Sequence, residues 1–460
     1  MTRHFKTVDY EATLDTSVRL GDCLPEDHLA RFVVDIVAQL DLKALYARYG
    51  NRGGQPYAPE ILLGLLFYAY ANGVFSSRKI EQATKETAAY RYLAGNLAPD
   101  HDTIATFRKT FLPELQALFV QILLLARETG LLTLANLSLD GTKIAADASK
   151  SKAVSYRRLL EIEAKLNAEV AELFALADTA DTRSVAEGMD APYEIARREA
   201  RLARLAHAKS VLEARAAERA AFEQVAYEAA LRRRTEKEAR TGKKPRGKPP
   251  APPSSTPREG DQYNFTDPDS PIMKNSRDAG FSQHYNAQAA VEQSSLLIVG
   301  ASLSNHANDQ GEVVPTLTAI PEALGTPKAA ALDAGYFSET NIAALEGAGI
   351  EALIATGRTE HNQSWQAYFA GAGPVPAADA SVREKRACKL RTAAGKAIYR
   401  RRKCTIEPVF GTIKEVLGFR QFSLRGLASV RGEWCLVCLA FNLRRMHILT
   451  LHQSQTEVCA

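Results

Sequence analysis

The sequence predicts an α/β domain that is interrupted by a helical insertion and preceded by a helical region. Apolar residues recur at helical spacing through about the first 125 residues. From residue 134 onward, strand-like runs alternate with helix-like runs, which is the order typical of α/β domains. Residues 150–240 are rich in Ala, Glu and Arg, have helical periodicity and lead into a proline-rich linker.

Length and composition are those of a globular protein with several domains. The chain has 460 residues, of which 46% are hydrophobic and 24% charged, so it can bury a large core and is not globally disordered. The net charge of +5 comes from 58 Lys and Arg against 53 Asp and Glu. Because this excess is small, the composition permits a nucleic-acid partner without requiring one.

The sequence predicts a cytoplasmic protein. Its first residues, 1–6, lead into polar sequence and begin no apolar signal region. The apolar run 61–70 is far shorter than the roughly 20 residues that span a bilayer. Six scattered cysteines fit a reducing compartment. We therefore expect neither export nor contact with a membrane.

The N-terminal region, residues 1–128, contains four stretches with helical periodicity that are separated by Gly and Pro. They are residues 26–40, 59–72, 76–93 and 103–128. Short helices with tight turns are typical of helix-turn-helix modules. Ser76 or Ser77 could cap a helix whose first turn presents Arg78 and Lys79 to DNA. The alternative is a capped helix with a solvated basic turn.

The insertion and its linker occupy residues 150–260. Apolar residues recur every three or four positions around Leu159 and again around Leu205, which predicts a helical hairpin. The Pro-rich basic segment 241–257 is too rich in proline for a helix or a sheet. Two interpretations stay open for the hairpin, a solvated spacer and an arm that contacts DNA or a partner.

Three acidic residues occupy positions where a carboxylate is costly unless it has a partner. Asp140 lies inside a strand-like apolar run, and Asp333 ends the run Ala329–Asp333 just before a helix. Ligand sites of α/β sheets collect at such strand ends. Glu407 follows four consecutive cations, residues 400–403. Taken singly, each acid is more often a salt-bridge partner or a helix cap, so the prediction of a site depends on their combination.

The stretch around Glu407 predicts the start of a helix. Pro408 suits the first position of a helix, where its missing N–H costs little. A helix that begins at or just after Glu407 would carry Gly411 and Lys414 on the same face as the carboxylate. A carboxylate among cations is the arrangement that phosphate-ester chemistry on a polyanion requires.

Two aspartates from strands and one glutamate from a helix can hold a pair of divalent ions. Mg²⁺ favours a few carboxylates, with water and substrate phosphate completing its coordination shell. One ion would activate the attacking oxygen, and the other would stabilise the leaving oxygen, in a displacement at phosphorus.

The motifs around the three acids resemble those of DDE transposases of bacterial insertion sequences. These motifs are Leu139–Lys143, Leu332–Tyr336 and Ile406–Lys414. The likeness continues in further segments along the chain. They are residues 56–60, 73–80, 99–108, 266–270, 285–291, 305–309, 424–426, 433–434 and 442–444. The resemblance therefore covers nearly the whole chain except the insertion and linker.

The resemblance implies a ribonuclease H-like α/β catalytic core, formed by residues 129–149 and 261–450. It also implies an all-α DNA-binding region at 1–128, the helical insertion at 150–260 and a tail at 451–460. The implied activity is that of a transposase that binds the terminal inverted repeats of its own insertion sequence. It would cleave these ends and join them to target DNA by two-metal phosphoryl transfer.

The implied metal ligands are Asp140, Asp333 and Glu407, with Mg²⁺ as the cofactor and Mn²⁺ able to substitute. The implied partner is double-stranded DNA, bound by a homodimer on paired ends in the bacterial cytoplasm, associated with the nucleoid. Two alternatives are an inactive or domesticated DNA-binding protein and a related metal-dependent nuclease that cuts but cannot join.

Relatives in this family also carry a Tyr, Arg, Glu and Lys signature that holds the transposon end. Tyr399, Arg402, Glu407 and Lys414 match its members. The usual spacing puts three residues between Arg and Glu, whereas four separate Arg402 from Glu407, and Lys403 has the expected spacing. The sequence therefore leaves open which of Arg400, Arg402 and Lys403 holds the phosphate.

Other candidate residues are better explained by packing. Cys435 and Cys438 have the spacing of half a zinc site, but they lie in an apolar helix without a second ligand pair. A lone histidine such as His284 or His306 is more often a structural hydrogen-bonding group than a base. Three aromatic residues are possible stacking partners for an unpaired base, with core packing favoured. They are Tyr336, Phe337 and Trp365.

Overall fold

The computed structural model describes residues 19–49, 56–180, 191–245, 247–274, 280–357, 376–377 and 380–458. The described residues form two compact units. Unit 1 contains the described residues up to 144 and from 285 onward, and unit 2 contains those from 145 to 284.

Unit 1 begins with seven α-helices in its described part. They are α1 (Leu29–Ala38), α2 (Lys43–Tyr46), α3 (Pro59–Ala71), α4 (Ser77–Glu86), α5 (Ala88–Leu93), α6 (His101–Thr110) and α7 (Leu112–Glu128). Two of the predicted helices are each divided in two. Thr87 has extended backbone angles between α4 and α5, and Pro113 in the first turn of α7 favours a new helix after α6. The helix α3 is buried on nearly all sides.

Strand β1 (Asn136–Ala145) follows these helices, and the chain then enters unit 2. This unit contains β2 (Ala153–Ser155), α8 (Tyr156–Ala180), α9 (Ala191–Thr241), β3 (Gln262–Asn264) and β4 (Ile272–Lys274). Both predicted helices are present, and they pack along each other over buried Leu159, Leu166, Leu205, Ala208, Leu212 and Tyr263. The unit extends beyond residues 150–260 because β2 pairs with β3.

The remaining strands are β5 (Phe281–Glu292), β6 (Ile298–Ser304), β7 (Ala329–Leu332) and β8 (Glu351–Ile354). In the sheet of unit 1, the order is β6-β5-β1-β7-β8. The pairs β1/β7 and β7/β8 are parallel, and β5/β6 is antiparallel. Strand β4 pairs with the first residues of β5, within unit 2. The predicted α/β alternation is therefore confirmed for this part of the chain.

Five further helices belong to unit 1. They are α10 (Val313–Thr318), α11 (Glu339–Gly347), α12 (Val382–Arg391), α13 (Ala393–Gly411) and α14 (Leu427–Val458). Within α14, residues 427–455 are long and apolar enough to cross a membrane, but 61% of the most apolar window is buried inside the protein. This helix packs against α3, α7 and β6, so its apolar residues serve the core.

Candidate functional site

Asp140 and Asp333 occupy neighbouring positions on two parallel strands. Leu139 of β1 pairs with Leu332 of β7, and each aspartate is the next residue along its strand direction. Adjacent strands lie about 4.8 Å apart, so the two residues are side by side in the sheet. Asp333 also follows the carboxyl end of β7, where ligand sites of parallel sheets form.

Arg402 of α13 is the cation that faces these acids. Its guanidinium donates to Asp140 Oδ2 at 2.8 Å, with side-chain exposures of 10% for Arg402 and 24% for Asp140. Tyr399, one turn earlier, hydrogen-bonds with the Arg402 side chain. Burial lowers the pKa of Arg402, but the nearby Asp140, Tyr399 and Asp333 outweigh this effect and raise it. Arg402 therefore keeps its positive charge inside the site.

The carboxyl group of Asp140 ionises less readily than an ordinary aspartate. Burial, together with the weaker effect of the negative charges of Asp333 and Asp309, raises its pKa to about 6. Arg402 and the Gly141 N–H, which donates to Asp140 Oδ1 at 2.9 Å, oppose this shift only in part. The strand ends therefore carry more negative charge than one arginine neutralises.

The register of α13 on β1 explains why Arg402 reaches Asp140. Thr405 Oγ1 lies 2.6 Å from Ser138 Oγ. Ser138 and Asp140 are two residues apart in a strand, and Arg402 and Thr405 are three apart in a helix, so each pair shares a face. This pairing of faces brings together residues that are 262 positions apart in the sequence.

The predicted start of a helix at Glu407 is wrong. Helix α13 begins at Ala393 after Thr392, whose side chain accepts from Gly395 N, and Pro408 lies inside the helix. Pro408 has no N–H to offer the carbonyl of Cys404 four residues earlier. The helix tolerates this loss because Cys404 is exposed to water. After Gly411 the chain continues as a π-helical turn, Thr412–Val416.

Glu407 lies on the exposed part of α13. The buried stripe of this helix consists of Arg402, Thr405, Ile406, Val409 and Phe410, and Glu407 falls outside it. Across the described ranges of the chain, no group of three or more His, Cys, Asp or Glu side chains is placed to hold a metal ion. The structure thus brings Asp140 and Asp333 together without bringing Glu407 to them.

The cations predicted to bind DNA differ in their exposure. Arg400 and Lys403 are exposed on α13, on either side of the buried Arg402. The Lys414 ammonium donates to the Lys143 carbonyl at 2.9 Å, which ties the π-helical turn to β1. Arg78 and Lys79 are exposed in the first turn of α4, where Ser76 is the N-cap residue but its side chain makes no cap hydrogen bond.

The structure also contains a hydrogen-bond network next to the acids, which the sequence analysis did not predict. Asp309 Oδ1 accepts from Asn286 Nδ2 at 2.8 Å and from Gln288 Nε2 at 2.9 Å. The Tyr336 hydroxyl, in the segment that follows Asp333, donates to Gln288 Oε1 at 2.6 Å. The buried Gln288 therefore connects Asp309 with Tyr336.

Gly141 is the sequence signal that could have revealed this network. A Cβ atom at position 141 would lie 2.2 Å from Gln288 Nε2 and 2.8 Å from Asp309 Oδ1. Real Cβ atoms do not approach so closely, and the Gln288 amide is already fixed by its hydrogen bonds. A glycine after Asp140 is thus required for Gln288 to pass close to β1.

Two family models match the chain and cover both the N-terminal helices and the stretch around Glu407. A model described as a transposase domain (DUF772) matches residues 18–110, and one described as a transposase DDE domain matches residues 376–447. The chain belongs to the DDE transposases of insertion elements. The second match contains Tyr399, Arg402, Glu407 and Lys414. Neither a curated protein nor a solved structure matches the chain.

As a member of this family, the transposase has DNA as its partner and is a nucleic-acid-cleaving enzyme. The second matched region also contains the side chains that fix the C-terminal helix. Asn442 exchanges two hydrogen bonds with the backbone of Ile298 at 2.7 and 2.9 Å. Trp434 Nε1 donates to the Gln288 carbonyl at 3.1 Å. Helix α14 therefore supports the strand that carries Gln288.

The transposase uses its other candidate residues for packing. Cys435 and Cys438 are buried in α14, where burial raises the pKa of Cys435 to about 12. His306 pairs with Glu312 at 2.8 Å, and this hydrogen bond raises the pKa of the imidazole. Tyr336 is buried. Trp365 lies outside the described residues.

Proposed function

We propose that the transposase binds the terminal inverted repeats of its own insertion sequence, cleaves these ends and joins them to target DNA by two-metal phosphoryl transfer. The observation that carries the proposal is the adjacent placement of Asp140 and Asp333 beside the guanidinium of Arg402, which pairs with Asp140. We use the term strand edge for the place where β7 ends beside β1 and where Asp140 and Asp333 lie. A pair of acids there, next to a guanidinium, suits chemistry on a phosphodiester.

A ribonuclease H-like core agrees with the architecture of unit 1. Strand β1, which carries Asp140, lies in the middle of the five-stranded order, and β7 lies beside it. Parallel and antiparallel pairs occur in the same sheet. Asp140 thus lies on a central strand and Asp333 directly follows one, which suits a site that must hold fixed geometry.

The donor set at the strand edge fits a divalent ion. Carboxylate oxygens are the ligands that Mg²⁺ and Mn²⁺ prefer. Burial raises the pKa of Asp140, and a bound cation would favour its ionised form. We assign Asp140, Asp333 and Glu407 as ligands, and Glu407 would need a change in α13 to join the aspartates. Bound ions would activate the attacking oxygen and stabilise the leaving oxygen.

Arg402 is the residue we assign to the DNA phosphate. It is the buried member of the group Arg400, Arg402 and Lys403. A guanidinium can form bidentate hydrogen bonds with phosphate oxygens. The DNA backbone would be held by the other cations, namely Arg400, Lys403, Lys414, Arg78 and Lys79. Tyr399 would keep Arg402 in place. We expect the transposase to work as a homodimer on paired ends in the cytoplasm.

The test is a cleavage and joining assay with terminal-repeat DNA in Mg²⁺ or Mn²⁺. Short inverted repeats on either side of the gene would supply the DNA sequence. We expect Asp140→Asn, Asp333→Asn and Glu407→Gln each to lower cleavage by at least about a thousandfold. Binding to the ends should persist because the phosphate contacts remain.

Glu322→Gln is a matched control, since Glu322 is exposed and lies away from the strand edge. Full cleavage by any of the three acid variants would contradict the assignment of that residue. Binding without cleavage by the wild-type chain would favour an inactive DNA-binding protein. Cleavage without joined products would favour a nuclease.

A further inference from the structure

Unit 2 contains a surface groove that is lined by basic side chains and an aromatic ring. The groove is lined by Lys152, Arg201, Arg204 and Phe265, with Val154, Ile162 and Leu205 as its apolar floor. Arg201 and Arg204 are three residues apart on α9 and therefore share a face. The Phe265 N–H donates to the Lys152 carbonyl at 3.1 Å, which holds the backbone of Lys152 next to that of Phe265.

The cations of the groove differ from the basic residues that hold unit 2 together. Several arginines and lysines of this unit are paired with carboxylates. These pairs include Arg198–Glu169, Lys209–Glu163, Arg215–Asp269, Arg219–Asp261 and Arg258–Glu223. Among the described residues, no ion pair includes Lys152, Arg201 or Arg204. Within the described ranges of the chain, their positive charge therefore has no acidic partner.

Phe265 holds Arg204 in position without neutralising it. The guanidinium carbon of Arg204 lies 5.4 Å from the centre of the Phe265 ring, within the range of a cation–π interaction. Phe265 itself packs against the buried core of unit 2. A guanidinium that is oriented by a ring keeps its N–H donors available, and this is the arrangement that favours a phosphate group.

We propose that this groove binds the phosphate backbone of double-stranded DNA, so that the insertion is a DNA-contacting part of the transposase. Lys152, Arg201 and Arg204 would each contact phosphate oxygens, and Phe265 would fix the direction of Arg204. The inference rests on the proposed function, since it names a second surface for the same DNA. Phosphate contacts carry no base information, so the groove should bind ends and unrelated DNA alike.

The test measures DNA affinity of the full-length protein by fluorescence anisotropy at several salt concentrations. One duplex carries the terminal repeat, and a second of equal length has an unrelated sequence. The variant combines Arg201→Gln with Arg204→Gln. Its control combines Arg232→Gln with Arg233→Gln, which removes the same charge from exposed positions of α9 outside the groove.

We expect the groove variant to bind both duplexes about tenfold more weakly and to lose about two from the slope of log affinity against log salt. Arg204→Lys keeps the charge and should keep most of the slope. Hydrogen exchange at residues 198–208 of the wild-type protein should slow when DNA is added, which tests the groove without any variant.

Three results would overturn the inference. The groove variant could bind with the wild-type salt slope, the Arg232 and Arg233 control could lose as much affinity as the groove variant, or residues 198–208 could show no protection by DNA. The proposed function fails separately if wild-type protein binds the terminal repeat but neither cleaves nor joins it. A wild-type protein that binds neither duplex would overturn both.

Discussion

Acidic residues differ in their pairing with cations between the strand edge of unit 1 and unit 2. At the strand edge, burial raises the pKa of the Tyr336 hydroxyl, and the nearby Asp140, Asp309 and Asp333 raise it further. Arg402 is the guanidinium that pairs with Asp140. In unit 2, acids such as Asp261 and Glu163 each have a cation of their own.

This difference indicates which part of the molecule has negative charge available for a metal ion. An acid with its own cation is neutralised and contributes mainly to structure, and such exposed or half-exposed pairs stabilise a protein only modestly. Acids that share one cation keep a surplus of negative charge, which is costly in the free protein and available to a metal ion. Charge imbalance, rather than the number of acids, therefore marks the site.

The largest expected effect on stability is at Asp140. The difference between its ordinary pKa and about 6 corresponds to about 3 kcal/mol of free energy of unfolding. Because the folded protein raises this pKa, Asp140 favours folding below about pH 4 and loses that contribution as pH rises through 6. Asp140→Asn should therefore stabilise the metal-free protein by up to about 3 kcal/mol at pH 7.5, and hardly at all below pH 4.

Denaturant unfolding in EDTA at several pH values measures this effect. The matched variant is Asp261→Asn, which removes an acid that pairs with Arg219 at 2.9 Å and should destabilise the protein by about 1 kcal/mol. The two variants should thus differ in sign. Equal destabilisation by both would show that the strand-edge acids carry no surplus charge.

A smaller effect is expected at Gln288, the buried glutamine that contacts Asp309 and Tyr336. Gln288→Leu removes the side-chain hydrogen bonds to Asp309, Tyr336 and Asn286. It should lower the cleavage rate by about tenfold, with a higher Mg²⁺ requirement, because the strand-edge residues lose their support. Binding to end DNA should not change. Gln283→Leu alters another buried glutamine of β5 and should leave the Mg²⁺ dependence as it is. A shift of equal size in both variants would assign Gln288 a structural role only.

Local patterns predicted most of the secondary structure. The strand-like run 329–333 corresponds to β7, and the periodicity of the insertion corresponds to α8 and α9. Helix breaks at Thr87 and at Pro113 shorten the predicted elements without changing their type. These features depend on neighbours within a few residues, which a sequence displays directly.

The start of α13 could not be predicted from Pro408, because packing on β1 stabilises a helix that contains a proline. The pairing of Arg402 with Asp140 was also hidden, since it depends on the register of α13 and not on spacing near Glu407. One residue along a helix turns the side chain by about 100°, which is why Arg402 is buried while Lys403 is exposed. Only the structure therefore shows which cation of residues 400–403 pairs with Asp140.

Binding of Mn²⁺ to the DNA-free protein tests the central claim most directly. Electron paramagnetic resonance can count the free Mn²⁺ ions in titrations of the wild-type protein, Asp140→Asn, Asp333→Asn and Asp261→Asn. We expect the wild-type protein and Asp261→Asn to bind equally well, and both strand-edge variants to bind at least about tenfold more weakly. Equal Mn²⁺ binding by all four proteins would contradict the assignment of the strand edge as the metal site.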